Sequence, residues 1–403
     1  MAGEADSSLH GNIRMPLALA GVRIIDFTWV TAGPQCTQVL ADFGAEVIKV
    51  EPPNNPGARA AVTWNNLNRN KRAITLNMRH PDAREIALSL IAKSDVVVEN
   101  FTPGVLESWG LSWEAMKEAN ERLVYLSMTG FGWDGPNAQY VVFGPIMQAA
   151  SGIAAMTGRP GRTPSTIGFS YADHIGGYFG ALSILSALHE CAVSGKGIMI
   201  DMSQVEASIA ITSAAILDYQ VNSRPFCGWG NVPFGSSDAP AGLFKCAGTD
   251  QWCAISVRTD DQWGAFTKAT GLRELGDDER LATAVGRAAH RDLLDAKISA
   301  WSRQRRRDSV VDLLSDAGVP ASPMLRVDEL TQHPALRQHG SYETAEHEMF
   351  GEGQAQMGGV RSDFGPELRT VAPEVGEANS YVYGDILGMS DSEIVARRDL
   401  GII

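Results

Sequence analysis

The chain has 403 residues, 44% hydrophobic and 20% charged, which is enough for two domains with buried cores. Its 34 basic and 47 acidic residues give a net charge of -13, which argues against a nucleic-acid partner and leaves an anionic ligand dependent on a local basic site. Cys36, Cys191, Cys227, Cys246 and Cys253 are scattered and lack CxxC spacing, so no disulfide framework or zinc site is indicated; residues 1–16 lack a signal-like apolar region and no apolar run spans a bilayer, so a soluble cytoplasmic protein is expected.

The first predicted strand covers 22–27 and leads into the turn Ala32-Gly33-Pro34. A helix from Gln35, with Val39, Leu40 and Phe43 on one face, ends at Gly44, and a second strand follows over 47–51. Strand at 73–76, helix at 82–92, and strands at 96–98 and 123–127 continue the alternation, which predicts a parallel sheet covered by helices on both faces. Residues 172–190 are small and apolar almost throughout, as in a buried, tightly packed helix with Asp173 at its start. A strand at 199–202 and a helix over 205–217 come next.

The Gly-, Pro- and Ser-rich stretch 222–242 reads as a linker. The predicted organisation is therefore a large first part over 17–221, a smaller α+β domain over 243–325 with helices at 262–269 and 290–301, a return linker over 326–370, and a C-terminal part of the large domain over 371–403 with a last helix at 392–398.

Candidate chemistry is sparse. Asp173 reads first as a helix N-cap, since its carboxylate can accept from unpaired backbone N–H groups; as a nucleophile it would be kept ionised by the helix dipole, with Gly176 and Gly177 letting a substrate approach. His174 is either an acid/base or a polar neighbour, and no partner for it is legible. The loop 28–34 lies where open α/β sheets bind ligands, and is otherwise an ordinary turn. The basic run at 68–72 suits phosphate groups, or a solvated surface turn. No GxGxxG, Walker A, GxSxG or HExxH pattern occurs, which removes the usual support for nicotinamide, P-loop, lipase-like and zinc-protease chemistry.

Residues 21–28 with Ala32-Gly33-Pro34, 41–51, Asn70-Lys71-Arg72, 98–104, Gly130-Phe131-Gly132 with Asp134-Gly135-Pro136, the Asp173 helix, Gly318-Val319-Pro320 and Ala372-Pro373 together resemble the class III CoA-transferase family (CaiB/BaiF-like), from about Gly21 to the C-terminus. The resemblance implies a Rossmann-like large domain built from both chain ends, a smaller inserted domain, and two chains threaded through each other, either as a homodimer or as a heteromer with a related subunit. It implies no tightly bound cofactor, with acyl-CoA and a carboxylic acid as substrates. Asp173 becomes the acylated carboxylate: it attacks the donor thioester to give a mixed anhydride and CoA thiolate, the thiolate forms an aspartyl-CoA thioester, and the acceptor carboxylate completes the exchange. Excluded water would preserve these energy-rich species, and N–H groups at the helix start would stabilise the oxyanions. By the same resemblance Val30, Thr31 and Ala32 approach the thioester, and Asn70, Lys71, Arg72, Asn100 and Phe101 line the CoA groove.

The pattern also departs from the family. Thr31 replaces a glutamine of formyl-CoA transferase, which argues against oxalate/formate exchange. The long glycine loop of that enzyme is missing, and 226–242, with Gly228, Gly230 and Gly235, is expected to cover the site instead. Ser108 and Val141 replace basic residues, so CoA phosphates would lean on Lys71, Arg72 and Arg59. Racemases of the family place a His-Asp dipeptide where this chain has Phe143-Gly144, so two-sided proton transfer lacks a partner. The expected activity is CoA transfer from a donor such as succinyl-CoA to an acid such as an aryl- or alkylsuccinate; an isomerase and a non-catalytic partner subunit are the alternatives.

Overall fold

The computed structural model describes residues 16–54, 62–159, 161–224, 228, 230, 238–348 and 351–403. The chain divides into two compact units, one made of Met1–Ala154, Thr166–Pro225 and Pro334–Ile403, the other of Ala155–Ser165 and Phe226–His333.

The first unit is built on six parallel strands, β1 (Arg23–Asp26), β2 (Glu46–Glu51), β3 (Lys71–Thr75), β4 (Val96–Glu99), β5 (Val124–Thr129) and β6 (Ile198–Ser203), in the order β3-β2-β1-β4-β5-β6. This is the doubly wound Rossmann order. Strands covered on both faces read as continuous apolar runs rather than alternating ones. On one face Ile25, Ile48, Ile74 and Val97 pack against Ile86, Leu90 and the C-terminal Val382 and Tyr383. On the other, Ile24, Val47, Val98 and Leu126 meet Cys36 and Leu40 of helix α1 (Ala32–Asp42) and Ala181, Ile184 and Ala187 of helix α2 (Tyr171–Ser194).

Order reverses between β1 and β4, so the ligand crevice expected of such sheets opens at their C-terminal ends. A buried charge centre underlies it. Asp26 Oδ1 accepts from the Thr28 amide (2.8 Å) and hydroxyl (2.5 Å), and Oδ2 from the Thr37 hydroxyl (2.7 Å) and Lys71 Nζ (3.0 Å). Lys49 Nζ lies 3.9 Å from Oδ1 and donates to the Thr28 carbonyl. Burial alone would raise the Asp26 carboxyl, but Lys49, Lys71 and the two hydroxyls hold it well below the usual carboxylate range.

The C-terminal segment packs back onto the same sheet. Asn379 receives the Thr75 amide and donates to the Thr75 hydroxyl, and the Tyr383 hydroxyl donates to the Thr75 carbonyl. Within 326–370, read as a linker, the chain instead forms an antiparallel hairpin, β10 (Tyr342–His347) with β11 (Gly351–Gln356); its polar, Gly-containing strands carry little β signal. The helix expected over 205–217 is two, Gln204–Ala210 and Ser213–Asn222, with the Thr212 hydroxyl turned back onto the Ile209 carbonyl at the break.

The second unit carries a three-stranded antiparallel sheet, β7 (Ala241–Lys245), β8 (Trp252–Ser256) and β9 (Ala321–Pro323), with Phe244, Ile255, Trp263, Phe266, Ile298 and Leu314 in its core. Fully buried Arg287 donates to the Ala239 carbonyl (2.9 Å), pairs with Asp260 (2.9 Å) and lies over the Trp263 ring. Among the described residues no helix is long and apolar enough to cross a membrane.

Candidate active site

Asp173 lies in the first turn of α2, but Ser170 holds the N-cap position, so the carboxylate is not the cap that spacing alone suggested. Asp173 is 7% exposed. Burial pushes its carboxyl up to about 6, against the lowering effect of its own backbone N–H and the Ser170 hydroxyl. The positive end of a 24-residue helix favours the ionised form. A carboxylate that is desolvated yet still ionised at neutral pH is the state a nucleophile requires.

The residue that makes room for it is Gly144. A Cβ there would overlap Asp173 Oδ2 and stand 3.3 Å from Ser170. Phe143-Gly144, where racemases of the resembled family carry their dipeptide, thus sits against the carboxylate without a titratable side chain. Gly176 and Gly177 serve a different purpose from the one expected. A side chain on Gly177 would meet Gln35 and, at 3.0 Å, the Ala32 carbonyl, and one on Gly176 would meet Gln204 at 3.1 Å. Their smallness lets α2 pack closely on its neighbours rather than admit a substrate.

His174 has a partner that spacing could not disclose. Its Nδ1 lies 2.9 Å from Gln35 Oε1, and its ring stacks on Phe169 at 4.7 Å and 9°. Burial lowers its pKa.

The loop after β1 reaches Val30, exposed and at a φ of 61°, then Thr31, then Ala32 at the start of α1. Asn100, just after β4, clamps this loop: its Oδ1 accepts from the Trp29 amide (2.9 Å) and its Nδ2 donates to the Trp29 carbonyl (3.1 Å). Phe101 lies between the rings of Trp29 (6.1 Å) and Trp109 (5.4 Å). Val30, Thr31, Ala32, Asn100 and Phe101 therefore gather at the switch point. Next to them, buried Glu99 accepts from the Phe101 amide (2.6 Å), and desolvation raises its carboxyl to about 7.

The Asn70-Lys71-Arg72 trio divides. Asn70 gives both its amide ends to the chain, donating to Asp42 Oδ1 (2.7 Å) and the Glu367 carbonyl and accepting from the Arg369 and Thr370 amides. Lys71 is buried, with its ammonium bonded to Asp26, the Pro34 carbonyl and Asn68, and desolvation lowers it to about 8. Arg72 alone points outward, 3.4 Å from Glu46 and over the Tyr381 ring.

Gly228 and Gly230 belong to the second unit, where the Gly230 amide donates to the Gly158 carbonyl (2.8 Å) and a Cβ on Gly228 would meet that same oxygen. Arg59, Phe226 and Gly235 lie outside the described residues. Ser108 is turned onto the Val105 carbonyl and Val141 is exposed. Among the described residues no group of three or more His, Cys, Asp or Glu is placed to hold a metal ion.

The profile of CoA-transferase family III matches residues 19–379. The chain belongs to this family. The succinyl-CoA–D-citramalate CoA-transferase of Chloroflexus aurantiacus is 33% identical over 94% of this chain and 97% of its own length. The succinyl-CoA–L-malate CoA-transferase beta subunit of the same organism is 32% identical, over 96% and 98%. A CAIB/BAIF family protein from Brucella suis has a solved structure that superposes with a TM-score of 0.85 at 30% identity, covering 92% of this chain and all of that one. As a family III enzyme, the protein uses CoA thioesters as substrates and aspartate-based chemistry to transfer CoA.

Two outcomes are expected. In the role of nucleophile Asp173 would act ionised, and its folded pKa is raised, so the rate of single-turnover acylation should fall about tenfold per pH unit below about 6 and level off above it; a profile flat down to pH 4.5 would contradict that role. Gly144→Ala should push the Asp173 carboxylate off its position, lowering kcat on the order of a hundredfold with a thermal midpoint near wild type.

Proposed function

We propose that the protein transfers CoA from succinyl-CoA to a substituted succinate, an alkyl-, aryl- or hydroxysuccinate, with Asp173 as the acylated nucleophile. The observation that carries this reading is the buried Asp173 carboxylate at a helix start, facing the empty side of Gly144. Two relatives are named for succinyl-CoA as donor and for D-citramalate or L-malate as acceptor, both substituted succinates. Thr31, in place of the glutamine of formyl-CoA transferase, argues against oxalate/formate exchange.

In this reading Asp173 attacks the succinyl carbonyl and CoA leaves as thiolate. The thiolate attacks the aspartyl carbonyl of the anhydride, releasing succinate. The acceptor carboxylate then displaces CoA from the aspartyl thioester, and CoA attacks the acceptor's carbonyl to regenerate Asp173. Val30, Thr31 and Ala32 border the thioester, Asn100 and Phe101 form the wall, and Lys71 stiffens the loop from within through Asp26.

Intact-protein mass spectrometry after incubation with succinyl-CoA and hydroxylamine tests this. A hydroxamate mapped to Asp173, absent from Asp173→Ala, is expected; no adduct with succinyl-CoA or other acyl-CoAs would reject it.

We also propose that a second chain covers the outer side of α2. Tyr178, Leu182 and Leu185 on α2, with Leu217, Tyr219 and Val221 on helix Ser213–Asn222, are exposed large apolar side chains, the kind of surface that marks an association site. The helix read as buried and tightly packed is thus buried only along the side that carries Gly177, Ala181 and Ile184. Light scattering on the purified chain should give a dimer mass. A monomer, inactive until a related subunit is added, would instead indicate a heteromer.

A further inference from the structure

Beside Asp173 runs a chain of amides whose direction is set at its far end. Asp42 accepts from Arg69 Nε (3.1 Å) and Nη2 (2.6 Å) and from Asn70 Nδ2 (2.7 Å), so it stands as a carboxylate that can only accept. Gln38 must therefore present its NH2 to Asp42 Oδ2, which leaves its carbonyl for Gln35. Gln35 Nε2 donates to Gln38 Oε1 (2.9 Å), so Gln35 Oε1 faces His174 Nδ1 at 2.9 Å as an acceptor. The ring nitrogen opposite a carbonyl must carry the hydrogen. In a neutral imidazole, Nε2 then holds a free lone pair.

We propose that His174 is a substrate-binding hydrogen-bond acceptor, held in the Nδ1–H tautomer by the Gln35–Gln38–Asp42 relay so that Nε2 receives an O–H or N–H of the substrate. Three observations support a ligand-facing role. His174 directly follows Asp173, and Gln35 sits in the first turn of α1, just past the Val30–Thr31 loop at the switch point. The ring is half-buried, and Nε2 has no partner among the described residues. Phe169 stacked on it fixes the plane in which the lone pair points. Burial disfavours the imidazolium, consistent with an acceptor. Gln35 and Gln38 are positioning residues.

The identity of the ligand rests on the transferase reading above; the tautomer does not. Two donors share the required chemistry, an amide N–H of the pantetheine arm and a hydroxyl on the acceptor acid.

His174→Asn separates the two ends of the ring, since the Asn amide can still donate to Gln35 but offers nothing in place of Nε2. Its thermal midpoint should stay near wild type while kcat/KM falls about tenfold, the effect of one lost hydrogen bond. A loss confined to hydroxylated acceptors, compared with succinates lacking the hydroxyl, assigns the hydroxyl. A loss with every acceptor, seen also in acylation of Asp173 by succinyl-CoA, assigns the pantetheine amide. Nitrogen-15 spectra of histidine-labelled full-length enzyme, with the His174 signal identified by its absence from His174→Asn, should show the hydrogen on Nδ1 at pH 7.5, and Gln38→Leu should mix the tautomers. Wild-type kcat/KM in His174→Asn, a hydrogen on Nε2, or an imidazolium at that pH would overturn the proposal. If wild-type enzyme yields no Asp173 adduct but the spectra show the Nδ1–H form, the transferase reading fails and the relay stands.

Discussion

One buried carboxylate organises the ligand end of the sheet. Asp26 ends β1, and the groups bonded to it come from the following loop (Thr28), from α1 (Thr37) and from β3 (Lys71), with Lys49 of β2 close by. Removing one side of such a buried centre leaves an uncompensated charge, at a cost of about 3–5 kcal/mol. The loop that carries Val30 and Thr31 is therefore not free to wander: its start is held by Asp26 and its Trp29 backbone by Asn100. Rigidity there is what the proposed role, presenting a thioester to Asp173, requires.

The same sheet end pits burial against ionisation at Asp173 and at Glu99. Both carboxyls are raised mainly by desolvation, unlike Asp26, whose neighbouring lysines win. A group whose folded pKa is raised takes up its proton more readily in the folded state, so each destabilises the fold increasingly as pH rises from its unfolded value through its folded one. For Asp173 that window runs from about 4 to about 6. In the role proposed for Asp173, a carboxylate that weakens the fold at working pH is a common trade between stability and function.

Helix α2 meets three demands at once. Its N-terminus presents Asp173 and His174, its glycines admit α1 and Gln204 to close contact, and Tyr178, Leu182 and Leu185 face outward. Small residues on one side and large ones on the other keep it apolar all round, which hides from the sequence which side is covered by its own chain.

Much of the fold was legible because strands of a doubly covered sheet are apolar runs, and because the turn and helix signals between them are local. Asp173 was singled out through resemblance, since spacing alone favoured a cap. Three-dimensional packing decided the rest: that Ser170 caps, that Gly144 rather than Gly176 and Gly177 clears the carboxylate, that Asn70 and Lys71 turn inward while Arg72 does not, and that His174 finds Gln35 from 139 residues away. The reason is physical. Periodicity records which face of an element avoids water, whereas hydrogen-bond partners depend on strand order, and β3-β2-β1-β4-β5-β6 brings together side chains that no local pattern relates.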